Sequence, residues 1–276
     1  MMRMDRPPST MPHAIITLTT DFGQGDSYVA QMKGEILRVN PDVRLIDVTH
    51  EVPAQDVTRA ALILNDIVEL FPRGTIHLVV VDPGVGSTRR LVAAEMAGQR
   101  FVGPDNGLFG CVAKRHPPTQ AVRLDEPRFW RQLPAGSSPS STFHGRDILA
   151  PVAAHISRGV DLGEFGPPLD DALRPTRLPE PVVTPGGIVG EVLWIDAFGN
   201  LITNIDGSLL APIAGRVVID IAGQRIVGLS KFYAEQPAGA LLALIGSHGL
   251  LEISVCCRSA AEWLHALAGE RVSIEA

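Results

Sequence analysis

Cysteine is scarce in this sequence, 3 residues in 276, and two of the three are adjacent (Cys256 and Cys257) while Cys111 stands far from them. That spacing supplies neither a disulfide framework nor a zinc-ligand set, and it predicts buried, reduced thiols and no metal site. Long apolar runs are missing as well. Nothing reaches the ~20 residues that a bilayer span needs, and the opening MMRMDRPPSTMPH lacks the apolar segment of a secretory leader. The expectation is a cytoplasmic protein without membrane contact. Positive charge is in deficit, with 24 Lys and Arg against 30 Asp and Glu and a net charge of −6. With no basic stripe interleaved with aromatics, nucleic acid is not expected as a partner. Several catalytic fingerprints are absent: Gly23-Gln24-Gly25 lacks the third glycine of a dinucleotide loop, and there is no GxxxxGK[ST], HExxH or GxSxG. Nucleoside triphosphate hydrolysis, zinc proteolysis and serine-esterase chemistry are thereby disfavoured.

What is present is an ordinary globular composition, 45% apolar and 20% charged, in a chain long enough for two domains. Residues 1–13 show no periodicity and read as a disordered lead-in. Beyond them, residues 14–19 pattern as a strand, 29–39 as an amphipathic helix closed by Asn40-Pro41, 43–48 as a strand, 56–71 as an apolar helix, and 75–81 as a strand. This β-α-β-α-β order predicts a mainly parallel sheet with crossover helices. A hairpin is expected over 91–95 and 100–102, an irregular stretch over 117–141, and an apolar helix over 148–157. Six prolines between Gly166 and Gly187 mark a boundary. The domains are therefore placed at 14–166, an α/β unit, and 188–276, with a Pro-rich linker over 167–187. The second domain reads as all-β, a barrel-like unit or a sandwich, from short runs at 188–195, 201–205, 217–221, 224–227, 240–245 and 250–255, then a helix over 259–267 and a strand over 271–274.

Polar groups collect where the strands stop. Leu78 to Val81 are four apolar residues that end at Asp82-Pro83-Gly84, so a carboxylate stands at the carboxyl end of a buried strand, the edge where α/β sheets bind ligands. Arg89, seven residues on, is within reach for the loop to return its guanidinium to that carboxylate. The plainer reading is a turn with surface arginines. Asp21 ends the first strand in the same way and suits a vicinal diol such as ribose, since a carboxylate accepts two hydrogen bonds at once. His144 and Arg146 lie at a helix start, where a histidine is more often structural than catalytic. An Asp, an Arg and a His without a nucleophilic Ser or Cys point to water as the attacking group.

Six blocks in one order, TTDFG (19–23), DVTHEVP (47–53), VDPGVGSTRR (81–90), VGPDNGLFG (102–110), TFHGRD (142–147) and IDAFGNLITNI (195–205), resemble the S-adenosyl-L-methionine (SAM) hydroxide adenosyltransferases. Fluorinases and chlorinases are their halide-using relatives. The resemblance implies hydrolysis of SAM to adenosine and L-methionine, no cofactor, and a homotrimer whose active sites each join one subunit's N-domain to the next subunit's C-domain. It places the hydrolytic triad on Asp82, Arg89 and His144. It also implies that Asp21 holds the ribose, Phe143 lines the reacting centre, Asp196 takes the methionine ammonium, Ser247 the methionine carboxylate, and Asn200 the purine. The halide users carry an aromatic at the Asp82 position and a serine at the Gly145 position, which sets them apart from this chain. A halide-using transferase and a non-catalytic SAM or adenosine sensor are the alternatives. One departure stands near the end: related sequences carry a VNxGSAAE-like stretch where this chain has Val255-Cys256-Cys257-Arg258-Ser259-Ala260-Ala261-Glu262. Backbone recognition of adenine there would tolerate the change, and side-chain recognition would not.

Overall fold

A computed structural model describes residues 13–210 and 217–275. The disordered lead-in expected over 1–13 lies, apart from His13, outside the described residues. The chain divides into two compact units, Met1–Arg177 and Leu178–Ala276.

In the first unit the elements are β1 (Ile15–Thr20), α1 (Tyr28–Val39), β2 (Arg44–Thr49), α2 (Val57–Ile67), β3 (Ile76–Val80), β4 (Leu91–Met96), β5 (Gln99–Pro104), α3 (Gly110–Arg115), β6 (Gln120–Arg123) and α4 (Ala150–Ser157). The strands form one sheet in the order β2-β1-β3-β5-β4-β6. It is parallel from β2 to β5 and antiparallel at β4 and β6, the mainly parallel α/β sheet the sequence pattern implies. β3 is buried along its whole length. Because strand side chains alternate, Leu78 and Val80 enter one core with Met32 and Ile36 of α1 and Ala153 of α4, while Val79 and Val81 enter a second with Ala60 and Leu64 of α2 and Val112 of α3. Helices cover both faces, so the open edges of the layer are its strand ends.

Some local expectations fail for identifiable reasons. The helix expected over 56–71 is capped by the Asp56 side chain, which accepts the Arg59 N–H at 2.8 Å. It then tightens after Ile67 into a 3₁₀ turn, Val68–Leu70, ahead of Pro72, which cannot continue a helix. The stretch 117–141 is not wholly irregular: β6 pairs with β4 and buries Val122, a match that only the partner strand's free edge reveals. α3, six residues long, is too short for a periodic signal.

The second unit holds β7 (Val182–Thr184), β8 (Gly187–Ile195), β9 (Leu201–Asp206), β10 (Val218–Ile221), β11 (Gln224–Val227), β12 (Leu241–Ile245), β13 (Leu250–Val255), α5 (Ala260–Leu264) and β14 (Arg271–Glu275). They build an antiparallel, nearly closed barrel in the order β11-β10-β14-β8-β9-β13-β12, with β7 added on β8. The ends approach each other, and the Ser230 N–H reaches the Ala243 carbonyl at 2.8 Å near that seam. Inward residues such as Val192, Leu201, Ile219, Ile253 and Val272 fill the interior. β7 was not anticipated in the Pro-rich stretch, and both its valines are exposed. Among the described residues no helix is long and apolar enough to cross a membrane.

Candidate active site

Three chain segments converge at the carboxyl ends of β1 and β3. The first is the loop after β3. Asp82 accepts the Gly84 N–H at 3.2 Å, and the Arg89 side chain folds back so that its Nε donates to both carboxylate oxygens, at 2.7 and 2.8 Å, with Nη2 donating to Oδ2 as well. Both side chains are nearly out of solvent, 5% exposed for Asp82 and 7% for Arg89. Gly84 makes room for the arginine stem, since a Cβ there would lie 3.0 Å from Arg89 Cδ. Gly86 has φ +81° and a Cβ on it would sit 2.3 Å from the Ser141 carbonyl oxygen, so the loop docks against Ser141 only because position 86 is glycine.

The second segment carries His144. It directly precedes a buried π-helical turn, Gly145–Leu149, which leads into α4. Pro151 has no N–H to give, and the Asp147 carbonyl four residues before it instead accepts the Arg131 N–H at 2.8 Å. The buried Asp147 carboxylate takes bonds from Arg146, Arg131 and the Ser140 N–H. Burial pushes its pKa up, but those bonds outweigh it and hold the group below the ordinary range. Arg146 and Asp147 thus anchor the segment. His144 Nδ1 lies 3.1 Å from Arg89 Nη2. Guanidinium only donates, so Nδ1 is the acceptor and the neutral ring carries its proton on Nε2. Burial first, then the adjacent Arg89 charge, lowers the His144 pKa below the usual 6.5. The Arg89 Nη1 atom is buried and has no hydrogen-bond partner among the described residues.

The third segment is the end of β1. Asp21 Oδ2 accepts the Gln55 N–H at 2.8 Å from a left-handed residue, φ 66°. Asp21, Gln55, Asp82, Phe143 and His144 all line one cavity of about 400 Å³. Phe143 closes its floor as one corner of an aromatic trio with Phe22 and Tyr28, ring centroids 5.2 to 5.7 Å apart. Sequence reasoning missed Gln55 and Tyr28 in this wall; neither carries a local signal, and folding alone brings them there, whereas Thr142 arrives with its neighbours Phe143 and His144. Two other strand-end groups serve the scaffold. Asp105 is buried against Arg90 and the Arg174 N–H, and Asn106 Nδ2 donates to the Val81 carbonyl at 2.9 Å.

In the second unit, Asp196 and Asn200 build one turn. Asp196 Oδ1 accepts the N–H groups of Phe198 and Asn200, both at 2.8 Å, and Oδ2 accepts Asn200 Nδ2 at 2.9 Å. Asn200 lines a cavity of about 610 Å³ with Phe198, Tyr233, Cys257, Arg258 and Ser259. Asp196 is not in that wall, and Ser247, in the turn between β12 and β13, lines neither cavity. Among the described residues no three His, Cys, Asp or Glu side chains form a metal-ligand group.

An α/β layer followed by a barrel, with an Asp-Arg-His cluster beside a second carboxylate, Asp21, at the strand ends, defines a class of two-domain proteins. This chain belongs to the SAM hydroxide adenosyltransferase family: residues 16–166 match its N-terminal domain and residues 190–273 its C-terminal domain. It is 39% identical over 268 residues, 96% of this chain and 99% of the relative, to a protein of Salinispora tropica named (R)-S-adenosyl-L-methionine hydrolase. A protein of the same name from Thermus thermophilus is 40% identical over 89% of this chain and 93% of its own length. A fluorinase of Nocardia brasiliensis is 33% identical over 69% of this chain and 71% of its own. The crystal structure of an uncharacterized conserved protein from Thermotoga maritima superposes with a TM-score of 0.86 at 33% identity, covering 95% of this chain and all of that one.

The docking of the triad loop can be checked by substitution. Gly86→Ala must strain φ and push Ser141 away, at a cost on the order of 1–3 kcal/mol. Gly25→Ala, with open space around its Cβ position, is the control. Thermal unfolding should show a lowered midpoint for the first variant and an unchanged one for the second.

Proposed function

We propose that the protein hydrolyses S-adenosyl-L-methionine to adenosine and L-methionine, with water displacing the sulfonium at the ribose 5′-carbon. The observation that carries this reading is that Asp82 and His144, both bonded to Arg89, line the cavity that also holds Asp21. The naming of its relatives supports the same substrate.

A sulfonium leaves as a neutral thioether, so no acid has to protonate it and no metal or organic cofactor is needed for its departure. The demand falls on the nucleophile. In this reading the free Nη1 donor of Arg89 holds the attacking water and stabilises the negative charge that grows on its oxygen. Asp82 keeps the guanidinium in place. Neutral His144 takes the proton that water must lose once Nδ1 exchanges its bond from Arg89 to the nucleophile. Asp21 orients the ribose through its second carboxylate oxygen, and Phe143 excludes water below it. Asn200 reads the purine, Asp196 the ammonium and Ser247 the carboxylate. As the resemblance implies, the protein acts as a cytoplasmic homotrimer with the C-terminal domain of one subunit completing the site of its neighbour. Halide use is opposed by Asp82 and by Gly145, where a Cβ would already lie 3.2 Å from Val80 and 3.3 Å from Met32 Sδ.

Incubation of the purified protein with SAM in heavy-oxygen water, followed by chromatography and mass spectrometry, tests the reaction. Adenosine labelled at its 5′-oxygen, with methionine, is the expected result. A 5′-halo nucleoside in chloride or fluoride buffer, or bound SAM without product, refutes it in favour of the halide-using or the sensor alternative. His144→Ala and Arg89→Lys should each lower kcat by roughly 10²-fold or more while KM moves far less; unchanged turnover in both removes the triad. The pH profile follows from the depressed His144 pKa. The ring stays neutral down to a pH below 6.5, so kcat/KM should hold on acidification through that value and fall only below it. An acid limb centred above pH 6.5 contradicts the role given to His144.

A further inference from the structure

The second unit's cavity contains a chemical group that hydrolysis does not use. Cys256 and Cys257 follow β13 in a tight turn closed by the Arg258 N–H on the Val255 carbonyl at 3.0 Å. Their sulfurs are 3.7 Å apart, so the two side chains project together although they are sequence neighbours. Cys257 stands in the left-handed region, φ 62°, a conformation that a non-glycine residue adopts at a cost. The pair is asymmetric. Cys256 is 5% exposed and packs with Leu242 and Leu244, while Cys257 is exposed and lines the cavity beside Asn200, Tyr233 and Arg258. Exposure makes Cys257 the sulfur that an oxidant reaches first, while burial, and then the neighbouring sulfur, pushes the Cys256 thiol pKa up.

We propose that Cys256 and Cys257 form an oxidisable vicinal dithiol that controls entry to the C-terminal cavity. Its oxidant is a hydroperoxide. The Cys257 thiolate takes the distal peroxide oxygen, releasing the alcohol (water, from hydrogen peroxide) and leaving a sulfenic acid. The Cys256 thiol attacks that sulfur, expelling a second molecule of water and forming the S–S bond. Two thiols lose two electrons and two protons, and the peroxide is reduced by the same two electrons. A thiol reductant reverses the step by exchange. Closing the bond brings the sulfurs from 3.7 Å to about 2.05 Å, so the Cys257 side chain must turn and the wall shared with Arg258 and Ser259 must move with it. The effect on turnover rests on the proposed function, in which this cavity takes the nucleoside base; the formation of the disulfide does not.

The experiment uses the full chain carrying Cys111→Ser, so that only the pair can react. A stoichiometric amount of hydrogen peroxide should lower the intact mass by two hydrogens, and dithiothreitol should restore it. In the same samples KM for SAM should rise roughly ten-fold on oxidation, with kcat held within about two-fold, and return on reduction. Cys256→Ser and Cys257→Ser should show neither the mass loss nor any response of KM to peroxide. A mass gain of oxygen atoms without loss of hydrogens, or a disulfide that leaves KM unchanged, overturns the proposal. If the reduced protein releases no adenosine, the proposed function fails instead. Calorimetric binding of adenosine then replaces KM, and a disulfide that leaves that affinity unchanged overturns the dithiol proposal on its own.

Discussion

Asp82 and Arg89 face each other with more than nine-tenths of each side chain out of water, where neither charge could remain without its partner. Desolvating two ions is costly, and the structure offsets that with a fork of N–H donors on both carboxylate oxygens and a further bond from the Gly84 N–H. The result is an arginine whose orientation is set on one side by a carboxylate and on the other by an imidazole acceptor. Its buried Nη1 has no hydrogen-bond partner among the described residues. In the proposed reaction a guanidinium fixed in this way stabilises charge growing on an oxygen without reorganising.

That geometry requires a sheet edge and two glycines. β3 ends where its hydrogen-bonding partners on both sides also end, so Asp82 emerges beside Asp21 from β1. Gly84 and Gly86 then let the loop turn back on itself and press against Ser141. His144 arrives from a different direction, on a π-helical turn whose buried Gly145 lets it sit close to Val80 and Met32. The wider π turn and the missing N–H of Pro151 free backbone groups that Arg131 takes up. The histidine is therefore held by the same bonds that secure the long loop before it.

The second unit is built on other terms. Its barrel is filled by alternating apolar residues, and its cavity is made from turns: the Asp196 to Asn200 turn, locked by the Asp196 carboxylate, and the Cys256-Cys257 turn after β13. Gly199 brings the two together, since a Cβ there would lie 2.1 Å from Ser259 Oγ.

Periodicity alone determined much of this protein. The alternation of apolar strands and amphipathic helices through residue 81 specified a mainly parallel α/β layer, and the short even runs after residue 188 specified an all-β unit without choosing between barrel and sandwich, because burial on two faces and on one face leave different repeats. Asp21, Asp82 and Arg89 were legible because each stands at a strand end or one loop away from it. Other features were decided by tertiary structure alone. β6 exists because β4 offers an edge, and Gln55 and Tyr28 join the cavity because β1 and β3 lie side by side. His144 accepts from Arg89 across 55 residues of chain, and Cys256 and Cys257 turn their sulfurs the same way because one residue takes a left-handed conformation. A repeat in sequence reports which face a residue is buried on, but the partner it meets there depends on contacts between segments that no local pattern encodes.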